Sequence, residues 1–260
     1  MKKQDNEILT FLILTIFFTS LSIFLLIQKN ISNKNLVVLG LMWSPGISAI
    51  LSRLLFSGSI KDLGWELPKI KFLLFSFILP FTYIIVYLVL GITGISKINN
   101  DFLKQIVTSD FLTEYPLLIA IGLFYAMGEE IGWRGFLTTR LLRYKPFLQT
   151  SFIIGIIWAL WHIPILYIML ARANINFVLA LSIYSLGVIV ETFMYTWFIK
   201  KSSSVWPCII LHASYNFHIQ EVFDELLIKD GSTTFITGEF GIGNLIISLI
   251  IAFILYLKRK

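Results

Sequence analysis

Runs without Asp, Glu, Lys or Arg recur along the chain, and most approach or exceed the roughly 20 residues a helix needs to cross a bilayer. They extend from Ile8 to Ile27, Asn35 to Ser52, Phe72 to Ser96, Pro146 to Ala171, Ser202 to Gln220 and Phe240 to Leu257. Two further spans are interrupted. The run from Tyr115 to Gly128 is short, but its apolar helical pattern continues through Phe136, Leu137, Leu141 and Leu142. The run from Ala173 to Ile199 is broken only by Glu191. The pattern predicts an all-α polytopic membrane protein with about eight transmembrane helices, and residues 1–260 as a single integral membrane domain. The first run is too long for the core of a signal peptide and no small-residue cleavage site follows it, so it reads as a retained span. The connections from Lys97 to Glu114 and from Glu221 to Glu239 read as solvated outside loops, with some interfacial helix.

Composition sharpens this picture. The 260 residues are 57% hydrophobic and 14% charged, against about 25% charged in an ordinary soluble domain. That excludes a water-soluble globular enzyme. A single cysteine, Cys208, excludes an internal disulfide and a thiolate zinc cluster. The net charge of +6 is a topology signal, because no nucleic-acid-binding motif accompanies it. With the N-terminus inside, 15 basic residues fall in inner segments: Lys2, Lys3, Arg53, Lys61, Lys69, Lys71, Arg134, Arg140, Arg143, Lys145, Lys200, Lys201, Lys258, Arg259 and Lys260. Six fall outside: Lys29, Lys34, Lys97, Lys104, Arg172 and Lys229. The positive-inside rule then predicts that both termini are cytoplasmic.

Of the 15 acidic residues, the outside set includes Asp230, and only Glu129, Glu130 and Glu191 fall within spans. Such residues face a protein interior or a wet cavity and are functional candidates by default. His162, His212 and Asn216 are also intramembrane. At about 1.5 Å per helical residue, Glu129, His162, Glu191, His212 and Asn216 fall in one slab, level with the midplane or on its cytoplasmic side. Isolated packing residues would have no reason to agree in depth. Glu130 and Arg134 are four apart, so they share a helix face and can neutralise each other. Glu129 has no such neighbour and reads as the free carboxylate. His212 and Asn216 are also four apart and can address one bound group. His218 reads as interfacial. Trp133, Trp158 and Trp161 either wall the cavity or pack beside it.

A carboxylate, two imidazoles and an amide around a wet cavity suit hydrolysis. Glu129 can act as general base toward water, and His162 can orient that water or bind a metal that activates it. His212 and Asn216 can donate to an oxyanion. No G-x-S-x-G or H-E-x-x-H motif occurs. Glu129, His162 and His212 could ligate a divalent ion such as zinc, should one bind. Two other classes remain open: a non-catalytic peptide-binding or immunity protein using the same cavity, and a proton-coupled transporter with Glu191 and Glu129 as relay. The absence of inverted repeats speaks against the transporter.

Residues Glu129-Glu130-Ile131-Gly132-Trp133-Arg134 resemble the E-E-x-x-x-R motif of the CPBP intramembrane metalloprotease family, which includes type II CAAX prenyl endopeptidases and relatives linked to bacteriocin processing or self-immunity. Trp158-Ala159-Leu160-Trp161-His162 resembles its second motif, an aromatic residue four before a histidine, and His212-Ala213-Ser214-Tyr215-Asn216 its third, H-x-x-x-N. The resemblance covers residues 115–220. It implies an intramembrane endopeptidase in the cell membrane of a bacterium, acting on a membrane-associated peptide or protein of CAAX type or bacteriocin-like. Glu129 would activate water with His162, His212 and Asn216 would stabilise the oxyanion, and Glu130 and Arg134 would support them. It leaves open whether the chemistry uses zinc or is metal-free. A cavity facing the cytoplasm is the matching expectation.

Overall fold

The computed structural model describes residues 2–28, 33–170, 175–228, 233 and 235–259, with backbone alone for Lys2 and Lys3. The charge assignments of Lys2, Lys3, Lys29, Arg172, Lys229, Asp230 and Lys260, and the span boundaries at Ala171 and Ala173, lie outside the described residues. Helices follow one another as α1 (Lys2–Ile27), α2 (Lys34–Ser57), α3 (Ile70–Ile92), α4 (Asn100–Gln105), α5 (Ser109–Leu141), α6 (Phe147–Leu170), α7 (Phe177–Ser202), α8 (206–223) and α9 (Ile242–Leu257). Among the described residues there is no strand, only an isolated bridge between Ile98 and Leu227. The protein is therefore an all-α, polytopic integral membrane protein. Among the described residues, six helices are long and apolar enough to cross a membrane: α1, α2, α3, α5, α6 and α7. The eight-span expectation also needs α8 and the 16-residue α9, which are not among those six.

Several boundaries differ from the hydropathy pattern, each for a local reason. Helix α5 begins at Ser109 instead of Tyr115, because the Thr108 side chain caps it by accepting from the Phe111 amide. Part of the predicted loop before it is thus helical. Helix α3 tightens to a 3₁₀ turn at Leu79–Tyr83, around Pro80. Helix α7 runs through Ser202 and stops at Ser203, which adopts a left-handed conformation. The seventh segment accordingly starts at Trp206, with Pro207 in its first turn.

Packing sorts the helix ends onto two faces. At one, Arg53 Nη1 and Nε reach Glu7 and Asp62 at 2.6 and 2.8 Å, and Arg140 Nη2 reaches both acids at 3.3 Å. This network ties the start of α1, the end of α2 and the end of α5 together. The Trp197 indole donates to the Lys258 carbonyl at 3.4 Å, and Lys200 lies over the Phe147 ring, which adds α6, α7 and α9 to the same end. Glu7 and Arg140 are buried, and such charges persist only because they are paired. At the opposite end, Tyr115 bonds His218 at 2.7 Å and Tyr87 donates to Asp224 at 2.7 Å. His218 is buried there among aromatic rings.

Helix α2 lies directly on α5, and glycine makes this approach feasible. A Cβ at Gly128 would sit 2.6 Å from the Trp43 Cα, and one at Gly132 would sit 2.6 Å from the Pro45 carbonyl carbon. Gly132→Ala is expected to destabilise the protein by about 1–3 kcal/mol through overpacking. Gly122→Ala, on the same helix but with only an ordinary contact to the Ala213 Cβ at 3.8 Å, is expected to be neutral or slightly stabilising. Thermal unfolding of the two variants in detergent compares them.

Candidate active site

Helix α5 changes character where the candidate residues lie. Its α-helical part ends at Glu130 and continues as a π-helical segment, Ile131–Thr138. The Thr138 hydroxyl donates to the Trp133 carbonyl five residues back at 2.8 Å, reinforcing the wider turn. A second π-helical segment, Asn216–Phe223, begins at the asparagine of the third motif. Such segments are rare and concentrate at functional sites.

Glu130 and Arg134 form the expected ion pair, with Nη1 to Oε1 at 2.8 Å and neither side chain exposed. The same Oε1 accepts from His212 Nδ1 at 2.8 Å. A carboxylate oxygen only accepts, so His212 carries its proton on Nδ1. Its Nε2 remains for a ligand, and donates only when the ring holds both protons. The Arg134 guanidinium carbon lies over both the Trp158 and Tyr195 rings, 3.9 Å from each centroid, in the corner made by two nearly perpendicular rings. Both aromatic faces then offset the desolvation of the cation.

Glu129 is 2% exposed, and it is not the free carboxylate the spacing suggested. The Trp158 indole, from α6, donates to its Oε2 at 2.9 Å. Helix-to-helix contact supplies the partner that positions i±3 and i±4 lack. On α6, His162 Nδ1 bonds the Trp158 carbonyl at 2.8 Å. A carbonyl only accepts, so Nδ1 holds the proton and Nε2 keeps a lone pair.

These groups line one cavity of about 290 Å³. Glu129, His162, Glu191, His212 and Asn216 all border it, brought together from α5, α6, α7 and α8. Glu130 and Arg134 lie behind this lining. Cys208 is buried with its thiol toward the Tyr195 carbonyl at 3.6 Å, apart from the cavity lining. Trp158 and Trp161 wall the cavity, whereas Trp133 packs against Trp161 within the core. Among the described residues, no three His, Cys, Asp or Glu side chains are gathered closely enough to hold a metal ion. The donor set as arranged does not form a zinc site.

The cavity floor, at Glu129, Glu191, Tyr195 and His212, is buried, and the lining continues to the exposed Met169 and to Gln220 and Glu239. Those residues belong to the end opposite the Glu7–Arg53–Asp62–Arg140 network. The lining thus extends toward the end of the bundle opposite that network. The charge pattern marks the basic end but carries no information about where helices part.

Sequence reasoning also missed several lining residues. Tyr195 was discoverable, since it lies four after Glu191 on one helix face. Gln220 and Glu239 gave no such signal. Glu239 belongs to the acidic connection read as solvated, but the chain folds it back to the cavity, where the Gln220 amide donates to it. It lies outside the spanning helices. Burial pushes its carboxyl from 4.5 up to about 7, opposed by the Gln220 hydrogen bond and reinforced by Asp224. Folding thus favours the protonated acid. Its contribution to stability is full below the unfolded value of 4.5 and is lost as pH rises through about 7. Glu239→Gln is expected to remove that part of the pH dependence, giving a flatter unfolding temperature across this range than the parent.

Residues 111–218 match the family described as Type II CAAX prenyl endopeptidase Rce1-like. A curated relative, CAAX prenyl protease 2 from Methanococcus maripaludis, is 29% identical over 117 residues, which is 41% of this chain and 41% of that protein. The chain thus matches about two fifths of the length of this relative. The family match spans Glu129, Glu130, Arg134, His162, His212 and Asn216 in the order of the three motifs. The segment that carries the motifs, and with it the candidate site, is thus similar to type II CAAX prenyl endopeptidases of the Rce1-like family.

Proposed function

We propose that this protein is an intramembrane endopeptidase that hydrolyses a peptide bond of a membrane-associated substrate, of CAAX type or bacteriocin-like, with water activated by Glu129. The observation that carries this reading is the convergence of Glu129, His162, His212 and Asn216 on one buried cavity. The kinship of the motif segment to proteins named as prenyl proteases supports it. The same reading places the protein in the cell membrane of a bacterium, with the substrate entering from the end away from the basic network.

On this reading each group has a task. Trp158 holds Glu129 Oε2, which leaves Oε1 for the water. His162, with its proton committed to the Trp158 carbonyl, offers Nε2 as acceptor to the second water proton. The water oxygen attacks the scissile carbonyl carbon as Glu129 takes its proton. The developing oxyanion faces His212 Nε2 and the Asn216 amide, and preorganised donors there lower the barrier. The Glu130 carboxylate stabilises the charged His212 ring that this donation requires. Collapse of the tetrahedral species breaks the C–N bond, and Glu129 returns the proton to the leaving amine.

Glu129→Gln keeps the shape of the side chain and its bond from Trp158 but removes the base. In liposomes supplied with membrane peptides, the variant is expected to cleave at least about a hundredfold more slowly than the parent. Equal rates would refute the assignment of the base. The mechanism is proposed as metal-free, so chelator-washed protein is expected to retain full activity with no metal detected by elemental analysis. Activity lost on chelation and restored by zinc would replace the glutamate-held water with a metal-held one.

A further inference from the structure

We propose that Trp158 is a positioning residue that fixes, through its indole N–H, which oxygen of Glu129 serves as base. The inference rests on the endopeptidase reading and adds to it a residue whose hydrogen-bonding atom no motif requires. The second motif asks for an aromatic side chain four before the histidine. A phenyl ring would satisfy it, supplying a face but no donor. This chain places an indole there, and its Nε1 lies 2.9 Å from Glu129 Oε2.

Three functions meet in this one residue. The N–H pins Glu129, the ring covers one face of Arg134 at 3.9 Å, and the backbone carbonyl holds His162 Nδ1 at 2.8 Å. Trp158 is 4% exposed and Glu129 is 2% exposed, so bulk water has little access to replace the indole. The terminal torsion of a glutamate is broad and roughly two-fold. Without a donor on one side, the carboxylate samples orientations in which neither oxygen faces the cavity. The indole bond selects one orientation before substrate arrives, which is the preorganisation an efficient base requires.

The three functions are separable. Trp158→Phe removes the N–H together with one ring of the indole but keeps an aromatic face, and the carbonyl to His162 belongs to the backbone. Trp158→Ala removes the ring as well. Trp158→Phe is expected to lower kcat about tenfold or more while KM stays near the parent value, the signature of an interaction that acts on the reacting geometry. The carboxylate band of Glu129, isolated as the infrared difference between parent and Glu129→Gln, is expected to shift in the Trp158→Phe background. Trp158→Ala is expected to lose stability in addition, since Arg134 is then stripped of one face.

A Trp158→Phe protein with parental kcat and an unshifted band overturns the proposal. So does one in which kcat falls and KM rises together while the band stays in place, since that marks a packing role. If the parent itself cleaves no peptide, the endopeptidase reading fails, and the infrared comparison still decides whether the indole orients Glu129. If Glu129→Gln abolishes cleavage while Trp158→Phe leaves kcat untouched, the present inference alone fails.

Discussion

A carboxylate inside a bilayer must have its charge answered by the protein around it, and in this structure the answer is one oxygen atom. Glu130 Oε1 receives both Arg134 and His212. The guanidinium that supplies the first of these contacts is in turn covered by Trp158 and Tyr195. Helices α5, α6, α7 and α8 each contribute one or more of these five side chains, so four helices meet around a single buried anion. The expense of an intramembrane charge is thereby converted into a geometric specification. Glu129, next along α5, is carried into the cavity by the same arrangement and kept out of the ion pair.

How far the arrangement was legible in the sequence depended on how local each interaction is. The Glu130–Arg134 pair was readable because four-residue spacing defines a helix face, and the common depth of Glu129, His162, His212 and Asn216 was readable because helical rise is constant. The helical class followed from run lengths alone. The second partner of Glu130, and the partner that removes Glu129 from isolation, sit on other helices. Their distances depend on crossing geometry that no spacing encodes. Glu239 illustrates the further case of a loop whose acidity resembled solvation but whose path returns to the cavity. His218 lay at the edge of a hydropathy run, and only the aromatic surroundings of Phe77, Phe81 and Tyr115 show it to be interior.

The two ends of the bundle solve opposite problems. At one, Arg53 and Arg140 share Glu7 and Asp62, joining three chain segments across a closed face. At the other, the helices part enough to leave the cavity and its carboxylate-bearing rim. On the proposed reading, water for hydrolysis enters from the cavity end, while the charged side chains of the other end are committed to one another.

The close approach of α2 to α5 has a mechanical consequence. Where Gly128 and Gly132 face Trp43 and Pro45, the helices approach so closely that an added Cβ would find no space, and closely packed interiors transmit strain instead of absorbing it. The floor bearing Glu129 and Glu130 is thus a stiff anvil. Compliance is left to the rim, where Glu239 belongs to a loop and Met169 is exposed. For the endopeptidase proposed above, adaptation to chains of different shape would fall to that rim, while Glu129 and Glu130 keep their spacing.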